Sequence, residues 1–275
     1  MKAEPEFIVA GERHCVAIHQ LQKIGRLGEV LGRGVGQSTD FLDHRPYVPG
    51  DDIRRVDWNA FARTDQLLLK RYQEEIRPSI QLWIDDSASM RLTEAKHQLL
   101  ANISSFFIQA SQDVDLSVVL LQEGVVVPER ILVGDWEANS VYSLGDSAKG
   151  NFNHLRSGSH VILLSDVLSV HEPSKMISAM LQKAVTITVV QILDQEDIRL
   201  PEEGILVLED SETGELLEIE IDARGVEKYE ENFRMIQQEW QENLRGRGNF
   251  IQWTTTDALS TQLMTLVQLG IIQAI

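Results

Sequence analysis

The stretch Ile80-Gln81-Leu82-Trp83-Ile84-Asp85-Asp86-Ser87-Ala88-Ser89 decides the fold. Its first half is a short apolar run without helical period, the pattern of a strand buried on both faces of a parallel sheet. Its second half is a D-x-S-x-S run. A carboxylate and two hydroxyls at alternate positions, just past the end of a buried strand, place three hard oxygen atoms around one point, a donor set suited to Mg²⁺ or Mn²⁺. A second short apolar run, Val161-Ile162-Leu163-Leu164-Ser165-Asp166, also ends in a carboxylate. If the two strands end side by side in one parallel sheet, Asp85 and Asp166 meet in the same crevice, and the four ligands are Asp85, Ser87, Ser89 and Asp166. The alternative is that Asp and Ser merely end the strands and cap the helices that follow.

Outward from this run the chain alternates strand and helix from Ser79 onward, which predicts an α/β fold. Ala95, Leu99, Leu100, Ile103, Phe106, Phe107 and Ala110 mark one face of a long helix. Further strands are expected near Leu116 to Leu121, Gly124 to Pro128, Val161 to Ser165, Val185 to Ile192 and Asn249 to Trp253. Helices are expected over Ser174 to Lys183 and Val226 to Leu244, with a last one beginning near Asp257. Ile205 to Leu208 and Leu216 to Ile221 flank the turn-forming Ser211-Glu212-Thr213-Gly214 and read as a hairpin on the rim. Upstream, Val16, Ile18, Leu21, Ile24, Leu27 and Val30 recur at helical spacing, so a short helix is expected between about 12 and 30. The glycines at 32, 34 and 36 then break it. They do not make a nucleotide loop, because Gln37 stands where the third glycine is needed and no strand precedes them.

The 275 residues suffice for one large domain or a domain with an appendage. Between Asp194 and Glu231 fifteen acids and three bases carry −12 of the formal net charge of −17, which disfavours duplex DNA on that face. By contrast Arg54, Arg55, Arg63, Lys70, Arg71 and Arg77 make the segment before the strand basic, fit to meet an acidic partner or the acidic face of another copy. The competing reading pairs them internally with Asp51, Asp52, Asp57, Glu74 and Glu75. Cys15 is the single cysteine, so neither an intrachain disulfide nor a cysteine zinc motif is open to the chain. Acids stand where a signal peptide needs bases, and no apolar stretch approaches bilayer length, so a soluble cytoplasmic protein without an integral membrane segment is expected.

A longer pattern precedes the strand: Arg45, Tyr47, Pro49, Gly50, Asp51, Asp52, Arg54, Asp57, Trp58, Ala62 and Arg63, followed by D-x-S-x-S and Met90. Pro49-Gly50 suits the centre of a type II turn, and Asp51 or Asp52 can cap a helix whose inner side is Ile53, Val56 and Ala60. Arg45, Arg54 and Arg63 face a choice between pairing with Asp51, Asp52 and Asp57 and contacting a partner. Together with the D-x-S-x-S run this pattern resembles the bacterial and archaeal family known as "domain of unknown function 58", from about Gly32 to Trp253, including Leu193-Asp194-x-Glu196 and Lys228-Tyr229.

That family resembles the von Willebrand factor A fold. The resemblance implies a Rossmann-like, mainly parallel sheet flanked by helices over 79–275. Residues 1–78 are then an N-terminal appendage packed on it: the helix, the Gly-rich connection and the R-x-Y-x-P-G-D-D motif. It also implies a metal-ion-dependent adhesion site in which Asp85, Ser87, Ser89 and Asp166 hold Mg²⁺ or Mn²⁺. Such sites take a further threonine, yet no threonine lies between Thr93 and Thr186. Ser140, Ser143 or Ser147, or water, would take its place. The implied partner is a MoxR-type AAA+ ATPase or its substrate, bound through an acidic side chain that completes the ion's coordination.

The expected role is therefore a non-enzymatic adaptor or co-chaperone. A scaffold with a degenerate, metal-free site is the alternative, and a metal-dependent hydrolase the third reading. The hydrolase needs a base near the ion, for which Asp86 and His160 are the local candidates. No phosphate-binding loop, nucleophile elbow or H-E-x-x-H pair is present.

Overall fold

The computed structural model describes residues 2–17, 41–49, 51–72, 79–121, 126–127, 154–170, 172–198, 204–209, 211 and 214–275. The chain divides into two compact units, Met1–Glu29 with Pro78–Ile275, and Val30–Arg77. In order, the elements of the larger unit begin with α1 (Pro5–Glu12) and β1 (His14–Val16). The smaller unit holds β2 (Phe41–Pro46), a 3-10 turn at Ile53–Arg55, α2 (Trp58–Thr64) and β3 (Leu68–Tyr72). The larger unit resumes with β4 (Ser79–Ile84), a 3-10 turn at Ala88–Arg91, α3 (Glu94–Gln109), β5 (Asp115–Leu120), β6 (Val126–Val127), β7 (His160–Ser165), α4 (Pro173–Met180) and β8 (Thr186–Leu193). It ends with α5 (Gln195–Ile198), β9 (Gly204–Glu209), β10 (Leu216–Ile221), α6 (Ala223–Leu244), β11 (Gly248–Thr254), α7 (Leu259–Gln268) and β12 (Ile272–Ala274).

A six-stranded sheet in the order β11-β8-β7-β4-β5-β6 organises the larger unit. Its first five strands are parallel, and β6 alone runs antiparallel, against β5. Every residue of β4, β7 and β8 is buried, as expected for central strands covered on both faces. The period of two sorts their side chains into two cores. Ile80, Leu82, Ile84, Ile162, Leu164, Val190 and Ile192 face a core shared with Phe7 of α1, Phe106 of α3 and Leu266 of α7. Trp83, Val161, Leu163, Ile187 and Val189 face the other, shared with Met176 and Met180 of α4 and Trp240 of α6. Thr93 caps α3 by accepting the Lys96 N–H at 3.1 Å, and Asp222 caps α6 by accepting the Gly225 N–H at 2.8 Å. Among the described residues no helix is long and apolar enough to cross a membrane.

The N-terminal segment departs from expectation. Residues 14–16, placed at the start of a helix by their apolar spacing, form β1, which pairs antiparallel with β12 at the other end of the chain. Residues 18–30 of that expected helix, and the glycines at 32, 34 and 36, lie outside the described residues. Within the span expected as an appendage, 1–78, α1 packs against α3, and both α1 and β1 belong to the larger unit. The contact is close: a Cβ on Gly11 would sit 2.6 Å from both the Phe106 carbonyl oxygen and Gln109 Cβ. Glycine is what lets the two helices approach.

The smaller unit is a β2–β3 hairpin with α2. Arg45 and Asp51 form the bidentate pair expected of them, at 2.6 and 2.7 Å, and Asp51 Oδ2 also accepts the Val48 N–H, so Asp51 is held well down, at about 2. Asp52 caps only the 3-10 turn. The expected inner face is correct for Val56 and Ala60, which are buried, and wrong for Ile53, which is 58% exposed. A 3-10 turn followed by extended Val56 breaks the helical phase that would have turned Ile53 inward. α2 is capped by Asp57, whose Oδ1 accepts from Asn59 and Ala60 while Oδ2 pairs with His44 at 2.8 Å. Arg54 and Arg63 make no ion pair among the described residues. Arg63 Nε donates to the Asn59 carbonyl instead. Gly50 lies outside the described residues.

Candidate functional site

In the sheet order, β5 lies on one side of β4 while β7, β8 and β11 lie on the other. The chain therefore changes direction between β4 and β7, and the C-terminal ends of these two strands open the crevice where open α/β sheets place their ligands. Asp85 leaves β4 and Asp166 leaves β7 at this point. The Asp85 N–H donates to the Leu164 carbonyl at 2.9 Å, so the two exits remain laced together beyond the last strand residue.

Asp85 is fully buried. Its Oδ1 accepts the Ser87 N–H at 3.0 Å and its Oδ2 accepts the Ser165 hydroxyl at 2.6 Å. The Ser87 and Ser89 hydroxyls lie 3.0 Å apart, with Ser87 buried and Ser89 half-buried. Burial first, and the charge of Asp166 second, push the Asp85 carboxyl up to about 6 against the opposing hydrogen bonds. The oxygen set expected from D-x-S-x-S is thus assembled. Asp166 joins it from β7, but it is already engaged: Oδ1 accepts the Leu168 N–H at 3.2 Å, and Oδ2 pairs with the ammonium of Lys96 at 3.0 Å.

Lys96, which the sequence pattern did not single out, is 1% exposed and also contacts Asp197 at 2.9 Å. Burial pulls the ammonium down, but Asp166 and Asp197 outweigh it and hold its pKa above the ordinary value. A signal was present: Lys96 stands three and four residues before Leu99 and Leu100, in phase with the apolar stripe of α3. Asp197 Oδ2 in turn accepts the Asp194 N–H, and Asp194 accepts the hydroxyls of Thr93 and Thr255 at 2.5 and 2.7 Å. The end of β8 is thereby tied to the start of α3. Ser165 and Gln191, whose Nε2 donates to the Asp166 carbonyl at 3.0 Å, complete the set of site residues not foreseen.

Val167, directly after Asp166, has a φ of 53° and is fully buried. A β-branched side chain in the left-handed region costs on the order of 1–3 kcal/mol, and such strain persists where the surroundings over-determine the backbone. Its N–H donates to Ser165 Oγ at 2.9 Å, the same hydroxyl that donates to Asp85. The strained turn thus aims Ser165 and Asp166 at the crevice together.

Two carboxylates and two hydroxyls are hard oxygen donors of the kind Mg²⁺ and Mn²⁺ take. Asp85, Asp86, Asp166, Asp194 and Asp197 stand against the ammonium of Lys96 and the guanidinium of Arg91, so this end of the sheet carries an excess of carboxyl groups. Asp85 has no cationic partner among the described residues, and Asp86 Oδ2 is buried with no hydrogen-bond partner. On these grounds the donor set of Asp85, Ser87 and Ser89 fits a small divalent cation, which would share Asp166 with Lys96. Among the described residues no group of three or more His, Cys, Asp or Glu side chains forms a metal cluster. Ser140, Ser143 and Ser147, named as sources of a further hydroxyl, lie outside the described residues.

Neither base expected for a hydrolase is well placed. Asp86 Oδ1 is bound by Arg91 at 2.6 Å, and its carboxyl is pushed up to about 6 by burial. His160 opens β7 at the opposite end of the strand from Asp166, six residues and roughly 20 Å away along the chain. Its Nδ1 lies 3.0 Å from the Thr186 hydroxyl, and burial pulls it down to about 4.

The chain is similar to proteins of known sequence and, more distantly, to solved structures. Uncharacterized proteins of Mycobacterium bovis and Mycobacterium tuberculosis are 23% identical to the chain over 215 residues, 71% of this chain and 68% of theirs. Among solved structures, the conserved hypothetical protein BatB from Bacteroides thetaiotaomicron matches with a TM-score of 0.36 at 12% identity. An aerotolerance-related membrane protein from Bacteroides fragilis matches with a TM-score of 0.41 at 10% identity, and each match covers 70% of this chain and 98% of the other. The family model described as protein of unknown function DUF58 matches residues 43–125 and 150–239, covering the motif of the smaller unit and both strand-end carboxylates, and the chain belongs to that family.

Proposed function

We propose that this protein is a non-enzymatic interaction adaptor or co-chaperone of the von Willebrand A type, working in the cytoplasm with a MoxR-type AAA+ ATPase or its substrate. Its partner is engaged through a divalent-cation site on Asp85, Ser87, Ser89 and Asp166. The observation that carries this reading is the Asp85 carboxyl, fully buried at the direction change of the sheet, among the hydroxyls of Ser87 and Ser165 and without a cationic partner among the described residues. A bound Mg²⁺ or Mn²⁺ supplies positive charge and an open coordination position for a partner's carboxylate. Asp85 offers the charge, Ser87 and Ser89 the neutral oxygens, and Ser165 orients Asp85.

The second reading is a scaffold that needs no metal, and Lys96 favours it, because its ammonium already supplies a positive charge at Asp166. Hydrolysis finds least support: Asp86 is pinned by Arg91 and His160 lies at the far end of the strand.

A pull-down of a MoxR-type AAA+ ATPase, in Mn²⁺ or in EDTA, with wild type and Asp85→Ala, separates the readings. Capture that needs Mn²⁺ and is lost in Asp85→Ala is the expected result. Capture indifferent to EDTA and to the substitution moves the interface away from the site. Metal-dependent turnover of phosphate esters by wild type would overturn the adaptor role.

A further inference from the structure

Lys96 occupies a position that two local rules argue against. It stands in the first turn of α3, where the unpaired N–H groups of a helix favour acids over a cation, and its side chain is buried. The reason is tertiary. Its ammonium lies between Asp166 Oδ2, at 3.0 Å, and Asp197 Oδ2, at 2.9 Å. One positive charge thus faces two carboxylates, and the charge of Asp166 acts on the buried Asp85 as well. The other cation at this end of the sheet, Arg91, is bound to Asp86. The cluster around Lys96 therefore remains short of positive charge.

The two partners of Lys96 are not equivalent. Asp166 is a proposed ion ligand, and neither of its oxygens is idle: Oδ1 accepts the Leu168 N–H at 3.2 Å, and Oδ2 is the one that Lys96 holds. An oxygen given to a divalent ion is therefore taken from Lys96 or shared with it, and two cations on one carboxylate repel each other strongly where water is excluded. Asp197 has no part in the ion site and is anchored by both its side chain and its backbone. Its Oδ2 accepts the Asp194 N–H at 2.8 Å, and its carbonyl accepts the Tyr229 hydroxyl at 2.7 Å. The Asp194 and Tyr229 segments singled out in the sequence thus meet at this residue. Asp197 gives Lys96 a second place for its charge without exposing the ammonium to solvent.

We propose that Lys96 is a positioning residue that sets the affinity of the crevice for a divalent ion: its ammonium competes for Asp166 Oδ2, and Asp197 takes up that ammonium when Asp166 turns to the ion. This rests on the cation site proposed above and adds its regulation. The competition favours a doubly charged ion, because a singly charged one merely replaces the charge that Lys96 already supplies at Asp166. It also ties the crevice to the end of β8 and the start of α3, since Asp197 is joined through Asp194 to Thr93, the cap of α3.

Binding of Mn²⁺ to the full chain, followed by loss of the free ion's electron paramagnetic resonance signal, tests this. Lys96→Gln is expected to bind about tenfold tighter than wild type or more, the scale on which one charge a few ångströms away shifts the binding of a proton. Asp197→Asn, which leaves the ammonium no carboxylate but Asp166, is expected to bind about tenfold weaker. Glu196→Gln removes the same charge from the same short helix, where the exposed Glu196 makes no ion pair among the described residues, and should bind as wild type does. A remote charge would act equally whether or not Asp166 is ionised. Competition would not, so the gain from Lys96→Gln should shrink below about threefold in the Asp166→Asn background. Circular dichroism in Mn²⁺ checks that each variant folds, and if Lys96→Gln does not, the comparison of Asp197→Asn with Glu196→Gln decides. Equal affinity of the folded Lys96 and Asp197 variants and wild type, or an equal gain in both backgrounds, overturns the inference while the cation site stands. Binding by Lys96→Gln but not by wild type supports the inference and overturns the ion-dependent adaptor. No Mn²⁺ binding by any folded protein overturns both.

Discussion

At the residue scale, the carboxyl of Asp85 and the imidazole of His160 are buried in environments that work against charge. Asp85 lies at about 6 in the folded chain against about 3.9 when unfolded. Between these values the folded state holds more protons, so its contribution to stability falls as pH rises from about 4 to about 6, and the penalty is complete above. In EDTA, Asp85→Asn is expected to raise stability at pH 8 by about 1–3 kcal/mol and to change little near pH 4. On the proposed cation site the order should reverse in saturating Mn²⁺, since Asp85→Asn would lose the charge that holds the ion. Thermal melts of both proteins at two pH values check this, and a destabilised variant at pH 8 in EDTA would contradict it. His160 runs the other way: its folded value, about 4, lies below the unfolded 6.5, so the unfolded chain takes up more protons and stability is lost as pH falls through that window. His160→Asn removes up to about 3 kcal/mol of that slope. Because the two groups oppose each other over the same interval, the difference between variant and wild-type curves is the quantity to measure. The candidate ligands Asp85, Ser87, Ser89 and Asp166 were legible because their spacing and position after apolar runs depend only on local sequence.

At the scale of elements, α3 carries more than its apolar stripe announces. Lys96 opens that stripe and joins α3 to the ends of β7 and β8 through Asp166 and Asp197. Removing one partner from a buried ion cluster leaves uncompensated charge, so Lys96→Met should cost about 3–5 kcal/mol, read as a shift in the urea midpoint. A change under about 1 kcal/mol would mean that the carboxyls relax to water without it. The strand and helix succession from Ser79 onward was readable because the periods of two and 3.6 are imposed by which faces are buried. Residues 14–16 misled for the same reason: three residues are too few to separate the two periods, and their strand partner is β12, at the far end of the chain. Ile53 misled because a single 3-10 turn carries the neighbouring residues out of helical phase.

At the scale of the whole molecule, the start and end of the chain close the larger unit together. Phe7, Ala10 and Val16 enter the same core as Phe106, Leu266 and Ile272. Deleting residues 2–17 is expected to cost about 3–5 kcal/mol and to expose apolar surface that binds a hydrophobic dye, because a sheet core loses one of its covering layers. Unchanged melting would mean that the segment adds no covering layer to that core. Local sequence sufficed for the α/β alternation, the acidic stretch from Asp194 to Glu231, the rim hairpin, the Arg45–Asp51 pair and the oxygen set after β4. Each depends on neighbours within a turn or a strand, where backbone period and side-chain chemistry act directly. Tertiary structure alone decided the order of the strands, the pairing of β1 with β12, the ammonium of Lys96 between Asp166 and Asp197, and the separation of His160 from the crevice. These depend on which distant segments lie side by side, and burial energy rewards that choice only once the whole sheet is covered on both faces.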